Sequence, residues 1–219
     1  MSYFYANARD PWSSFTHYIG MCAAAIGCIF LLLRGELISA PPRTVISAAV
    51  FGLSLVMLYA ASTLYHFYRG SDAVLLRLRK LDHSIIYVLI AGSYTPVVID
   101  CMEWSHAVKF LAVIWSCAVI GIIVKLCWLN APRWLYTSIY LLLGWAVIFD
   151  WSAFPLCRRA ALIWWRSAEY VTASARCSIS PKNLWAKTAS ASTKYSIFSF
   201  CSALCAIILR YSFTFCDKI

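Results

Sequence analysis

Residues 45–68 read VISAAVFGLSLVMLYAASTLYHFY, a stretch that contains no Asp, Glu, Lys or Arg. A helix needs about 20 apolar residues to cross the ~30 Å hydrocarbon layer of a membrane. A helix also satisfies its own backbone hydrogen bonds, which the interior of a bilayer demands. This stretch is therefore predicted to be a membrane-spanning helix.

Comparable apolar runs occur along the rest of the chain, separated by charged residues and prolines. The composition agrees, since 62% of the residues are hydrophobic and only 13% are charged. We predict an all-α integral membrane protein whose first span is retained, because more spans follow it rather than a soluble mature domain. The predicted spans are residues 13–33, 45–68, 82–101, 106–128 and 134–150, and a C-terminal apolar run covers 195–216.

The net charge of +10 is carried mainly by the connections between these runs. No basic stripe with interleaved aromatic residues lies on a soluble segment, so nucleic acid is not a predicted partner. Basic connections tend to stay in the cytoplasm. We therefore predict a multi-pass protein of an inner or plasma membrane with a cytoplasmic N-terminus. The basic residues that set this orientation are Arg69, Arg77, Arg79, Lys80, Lys125 and Arg133.

Three polar residues at the ends of predicted spans are candidates for a functional site. Ser62 and His66 are four residues apart and share one helix face, and Asp82 opens the third predicted span. An antiparallel helix pair returns Asp82 to the membrane level of His66, where a carboxylate and an imidazole could begin a metal or acid–base site.

Simpler interpretations exist for the same residues. Asp82 could be an N-cap or first-turn acid favoured by the helix dipole, and a single histidine at a helix end often faces lipid headgroups. A catalytic zinc normally has three protein ligands. Spacing alone leaves these alternatives open.

Several short motifs resemble the hemolysin III family, which belongs with the progestin and adipoQ receptors in a group of seven-span membrane proteins. They occur in the family's order: RDPWSSFTHYIG at 9–20, ASTLYH at 61–66, LDHS at 81–84, IAGSYTP at 90–96 and LGW at 143–145. The resemblance covers residues 1–150. Within the first motif, His17 could serve either as a polar neighbour of the site or in helix packing.

The resemblance implies a seven-helix bundle with a zinc ion near the inner face. It also implies that His66 is a zinc ligand, that Asp82 holds the metal-bound water and that Ser62 is a supporting polar neighbour. Relatives are proposed to be metal-dependent lipid amide hydrolases, so membrane lipid is the expected partner and substrate source. A pore-forming or cytolytic role and a receptor or sensor role are the alternatives.

The resemblance stops after Asp150, and residues 151–219 form an aberrant C-terminal region. The family takes two further zinc ligands from a His-x-x-x-His pair at the start of the seventh span, but this sequence has no histidine after His106. A change of reading frame would explain the difference. The shifted frame is built by joining the third base of each codon to the first two bases of the next codon. In that frame, codons allowed for residues 192–199 can encode His-Glu-Ile-Phe-His-Leu-Phe. Codons allowed for residues 168–180 can encode the family's sixth-span pattern. We therefore expect an incomplete zinc site and impaired hydrolysis.

Overall fold

The computed structural model describes residues 2–128, 139–140, 142–144 and 146, and these residues contain helices and no strand. Four of the helices are long and apolar enough to cross a membrane. This confirms the predicted all-α membrane fold. The helices are α1 (Ser2–Asn7), α2 (Pro11–Leu37), α3 (Pro42–Phe67), α4 (Asp72–Cys101) and α5 (Trp104–Cys127).

The four long helices pack in chain order, each against the next, and α4 is the most enclosed. In an apolar stretch of 18 residues within α4, 72% of the residues are buried, whereas the corresponding stretches of α2, α3 and α5 are 11%, 33% and 22% buried. The large apolar side chains that the outer helices expose have the bilayer as their solvent. The interior of the described bundle is therefore built around α4.

Glycines allow α4 to approach both of its neighbours closely. A Cβ placed on Gly92 would lie 2.5 Å from Ser54 Oγ on α3, and one on Gly121 of α5 would overlap the buried ring of Tyr87. Small residues at such contacts let membrane helices pack backbone to backbone. Gly92 therefore allows α4 to pack closely against α3.

The largest difference from the sequence prediction is the start of the third span. Helix α4 begins at Asp72, not at Asp82, because the basic segment that was assigned to a connection is helical. Leucines alternate there with arginine and lysine, which are good helix formers whose long side chains reach the membrane surface. Asp82 lies well inside α4 and is only 6% exposed, so its interpretation as an N-cap or first-turn acid is wrong.

Other boundaries differ by a few residues. Prolines at the first helical positions start α2 at Pro11 and α3 at Pro42, slightly before the predicted spans. Most of the predicted span 134–150, and all of the run 195–216, lie outside the described residues.

Candidate functional site

The segment before α2 is bound to the C-terminal turn of α3. The last carbonyl groups of a helix have no intrahelical partner. Here the backbone N–H of Asp10 donates to the carbonyl oxygen of His66 at 3.0 Å, and that of Arg9 donates to Phe67 at 3.2 Å. These bonds fix Asp10 beside the end of α3.

Asp10 and His66 form an acid–imidazole pair, with Asp10 Oδ2 3.1 Å from His66 Nδ1. The guanidinium of Arg9 also bonds Asp10 Oδ2, at 3.2 Å. The hydrogen bond with His66 is the largest cause that lowers the pKa of Asp10, and Arg9 lowers it further against the opposing effect of partial burial. An ionised Asp10 accepts a hydrogen bond from the N–H at Nδ1 of His66, which favours the histidine tautomer with the lone pair on Nε2.

Aromatic rings surround this pair. The His17 ring of α2 stacks on His66, with centroids 5.6 Å apart and planes 13° from parallel, and it lies 6.0 Å from the ring of Tyr59. The guanidinium of Arg9 lies over the Tyr65 ring, 4.6 Å from its centroid. His17 therefore contacts His66 directly, at the packed contact between α2 and α3.

Ser62 and Asp82 are both buried, on α3 and α4 respectively. His83 Nδ1 lies 3.9 Å from Asp82 Oδ2. Within the described part of the chain, Asp10 contacts both Arg9 and His66, and Asp82 lies beside His83. The structure thus gives His66 an acid partner, Asp10, that the sequence did not predict, and the predicted meeting of His66 with Asp82 stays a prediction.

Sequence reasoning did not identify Asp10 as a site residue. Asp10 immediately precedes Pro11 and occupies the N-cap position of α2, where an aspartate usually caps the helix. Its side chain makes no capping hydrogen bond and is directed instead to His66, 56 residues away. The available signal was its place in the RDPW motif.

The described residues do not by themselves form a metal centre. Among them, no group of three or more His, Cys, Asp and Glu side chains is arranged to hold an ion. A catalytic zinc takes three protein ligands. An oriented imidazole and a buried carboxylate are suitable components of such a site, but this part of the chain does not complete it.

The fold, the buried Ser62 and Asp82 and the Asp10–His66 pair define a multi-span helical membrane protein with polar side chains inside its spans. The model of the family "Haemolysin-III related" matches residues 5–179, and the chain belongs to this family. The match extends past Asp150 into the region predicted to depart from the family.

Two hemolysin-3 proteins of bacilli are similar in sequence to this chain. "Hemolysin-3 homolog" of Bacillus subtilis (strain 168) is 32% identical over 136 residues, which cover 62% of this chain and 63% of the relative. "Hemolysin-3" of Bacillus cereus is 32% identical over 136 residues, covering 62% and 61%. The chain thus spans less than two thirds of the length of the relatives it matches.

Proposed function

We propose that this chain is a membrane hydrolase of the hemolysin III type that acts on a lipid amide, and that the sequence as it stands contains only part of the metal site. The main supporting observation is the burial of Asp82 inside α4, 6% exposed. An ionisable group within a membrane span is costly and usually marks a functional site.

The roles of the side chains follow from the family resemblance and fit their surroundings. His66 is the proposed zinc ligand, and the carboxylate of Asp10 orients its ring through Nδ1. Asp82 is proposed to hold the attacking water and accept its proton. Ser62, buried on α3, is proposed as a neighbouring hydrogen-bonding group.

We propose further that this sequence binds little zinc and hydrolyses amides poorly. One imidazole with one water-holding acid is too few for a stable site. We propose that residues 151–219 are translated out of frame, which would account for the absence of histidine after His106. The family match to residue 179 bears against this proposal, and the DNA sequence decides between them.

Zinc analysis and an amide-hydrolysis assay test these proposals together. The chain as printed is compared with one whose frame is restored from residue 151, by elemental analysis and by fatty-acid release from a ceramide-like amide. The restored chain should hold about one zinc and release fatty acid. Stoichiometric zinc in the printed sequence would contradict the claim of an incomplete site.

Two histidine variants of the restored chain test the assignment of the site. His66→Ala should remove zinc and hydrolysis, whereas His106→Ala, at an exposed position near the start of α5, should keep both. Retention of zinc and activity by His66→Ala would refute the assigned role of His66.

Membrane lysis is the second candidate, because the two relatives bear the name hemolysin. A lytic role predicts dye release from liposomes that is unchanged by His66→Ala, since a pore does not need the imidazole. A hydrolase predicts no such release. A receptor or sensor role, the third candidate, would require a ligand that changes the stability of the protein without being consumed.

A further inference from the structure

Helices α4 and α5 form a concave site at the end of the pair that carries Arg77 and Lys80. It has a volume of about 350 Å³. We call it the α4–α5 groove. It is lined by Leu81, Ile85, Ile122 and Leu126 together with parts of Arg77, Lys80 and Ser84, and its lining surface is almost wholly apolar. It shares no residue with the Asp10–His66 pair or with Asp82 and Ser62.

The two cations of the groove have different environments. Lys80 Nζ donates a hydrogen bond to the carbonyl oxygen of Leu126 at 2.8 Å and so ties α4 to the last turn of α5. Arg77 is exposed and makes no ion pair with any residue that the structure describes. Its guanidinium is therefore the group available to an anion, and arginine binds phosphate through two parallel hydrogen bonds.

Ser84 lies two helical turns deeper than Arg77, about 10 Å along α4. Its side-chain oxygen is buried and has no hydrogen-bond partner among the described residues. A buried hydroxyl without a partner is unfavourable. An acceptor oxygen on a ligand would relieve that cost if rotation of the Ser84 side chain turned the hydroxyl into the groove.

The setting identifies the class of ligand. Because α4 and α5 are long and apolar enough to span a membrane, a groove between them that the rest of the chain leaves open would meet lipid rather than water. Its walls suit an acyl chain, and clustered basic residues at the end of a span attract anionic lipids. In a phospholipid the ester oxygens lie deeper in the membrane than the phosphate, and Ser84 likewise lies deeper along α4 than Arg77.

We propose that the α4–α5 groove binds one anionic glycerophospholipid, with an acyl chain between the helices, the phosphate on Arg77 and the ester region at the depth of Ser84. The site is separate from the proposed hydrolytic site and does not rest on it. It would attach a specific lipid to the face of the bundle formed by α4 and α5.

Native mass spectrometry of the full chain in detergent tests the charge part of the proposal. The probes are phosphatidylglycerol and phosphatidylcholine with identical acyl chains. The unmodified protein should retain one phosphatidylglycerol in preference to phosphatidylcholine, and Arg77→Gln should weaken that binding about tenfold, as expected for loss of a charge-assisted contact. Arg79→Gln removes the same charge from a residue that does not line the groove, and it should leave binding within about twofold.

A second pair of variants tests whether an acyl chain lies in the α4–α5 groove. Ile122→Phe fills the groove and should reduce retention of the lipid, whereas Ile123→Phe, at a neighbouring position 53% exposed on the outside of α5, should not. Equal retention of the two lipids, equal losses in Arg77→Gln and Arg79→Gln, or unchanged binding by Ile122→Phe would each overturn the proposal. If Ile122→Phe does not fold, the arginine pair still decides it.

Discussion

Replacement of Asp10 by Asn removes the carboxylate that pairs with His66 and leaves an amide of nearly the same shape. Hydrogen bonds to charged groups contribute about 1.5–3 kcal/mol, whereas exposed ion pairs contribute roughly 0.2–1 kcal/mol. The side chains of Asp10 and His66 are 47% and 13% exposed, so solvent screens the pair in part. We expect a coupling of ~1 kcal/mol, between the two ranges.

A double-mutant cycle in detergent measures this coupling. Asp10→Asn and His66→Gln are made singly and together, and each is unfolded thermally at neutral pH. A loss of ~1 kcal/mol shifts the melting temperature by roughly 2–4 °C in a chain of this size. Asp72→Asn is the matched control, because this exposed acid begins α4 and should not couple to His66.

The pH dependence of the coupling has a definite sign. Because the pKa of Asp10 is lowered in the folded protein, its stabilising effect is present above the unfolded pKa and is lost as the pH falls through the folded pKa. The coupling should therefore be present at neutral pH and disappear in strong acid. Additive single mutants at neutral pH, or a coupling that survives protonation of Asp10, would refute the proposed pairing.

Three further predictions concern helix packing, topology and the reading frame. Gly92→Leu should destabilise the protein by about 1–3 kcal/mol in thermal unfolding because its side chain overlaps α3, whereas Gly27→Leu, with open space around Gly27, should change little. Equal effects would contradict the packing described. An impermeant thiol reagent applied to intact cells should label Ala40→Cys but not Ser71→Cys, above the background of the native cysteines, and the reverse pattern would invert the topology. The DNA for residues 192–199 should encode His-x-x-x-His in the shifted frame, and any other reading there would exclude the frameshift.

The membrane fold was largely predictable because the bilayer requires long apolar helices with internally satisfied backbones. The four described spans appear where the apolar runs are, with ends displaced by a few residues. The exception is the start of α4, where Arg77, Arg79 and Lys80 resemble a connection in sequence. Their long side chains allow charge and helix to coexist at a membrane surface.

The candidate site was predictable only in part. Helical spacing placed Ser62 and His66 on one face, and the LDHS motif indicated Asp82. The Asp10–His66 pair was missed because the two residues are 56 positions apart and Asp10 sits where a helix cap is expected. The α4–α5 groove was also missed, since a concavity belongs to no single segment.

The sequence by itself determined the class of protein, its spans and its family motifs, because hydrophobic length and local spacing are properties of contiguous residues. Tertiary structure alone decided that Asp10 meets His66, how deeply Asp82 is buried and where α4 and α5 leave a groove. Those features depend on how helices that are distant in sequence approach one another. Their approach is set by close contacts such as that of Gly92 with α3 and by the backbone bonds that hold Asp10 at the end of that helix.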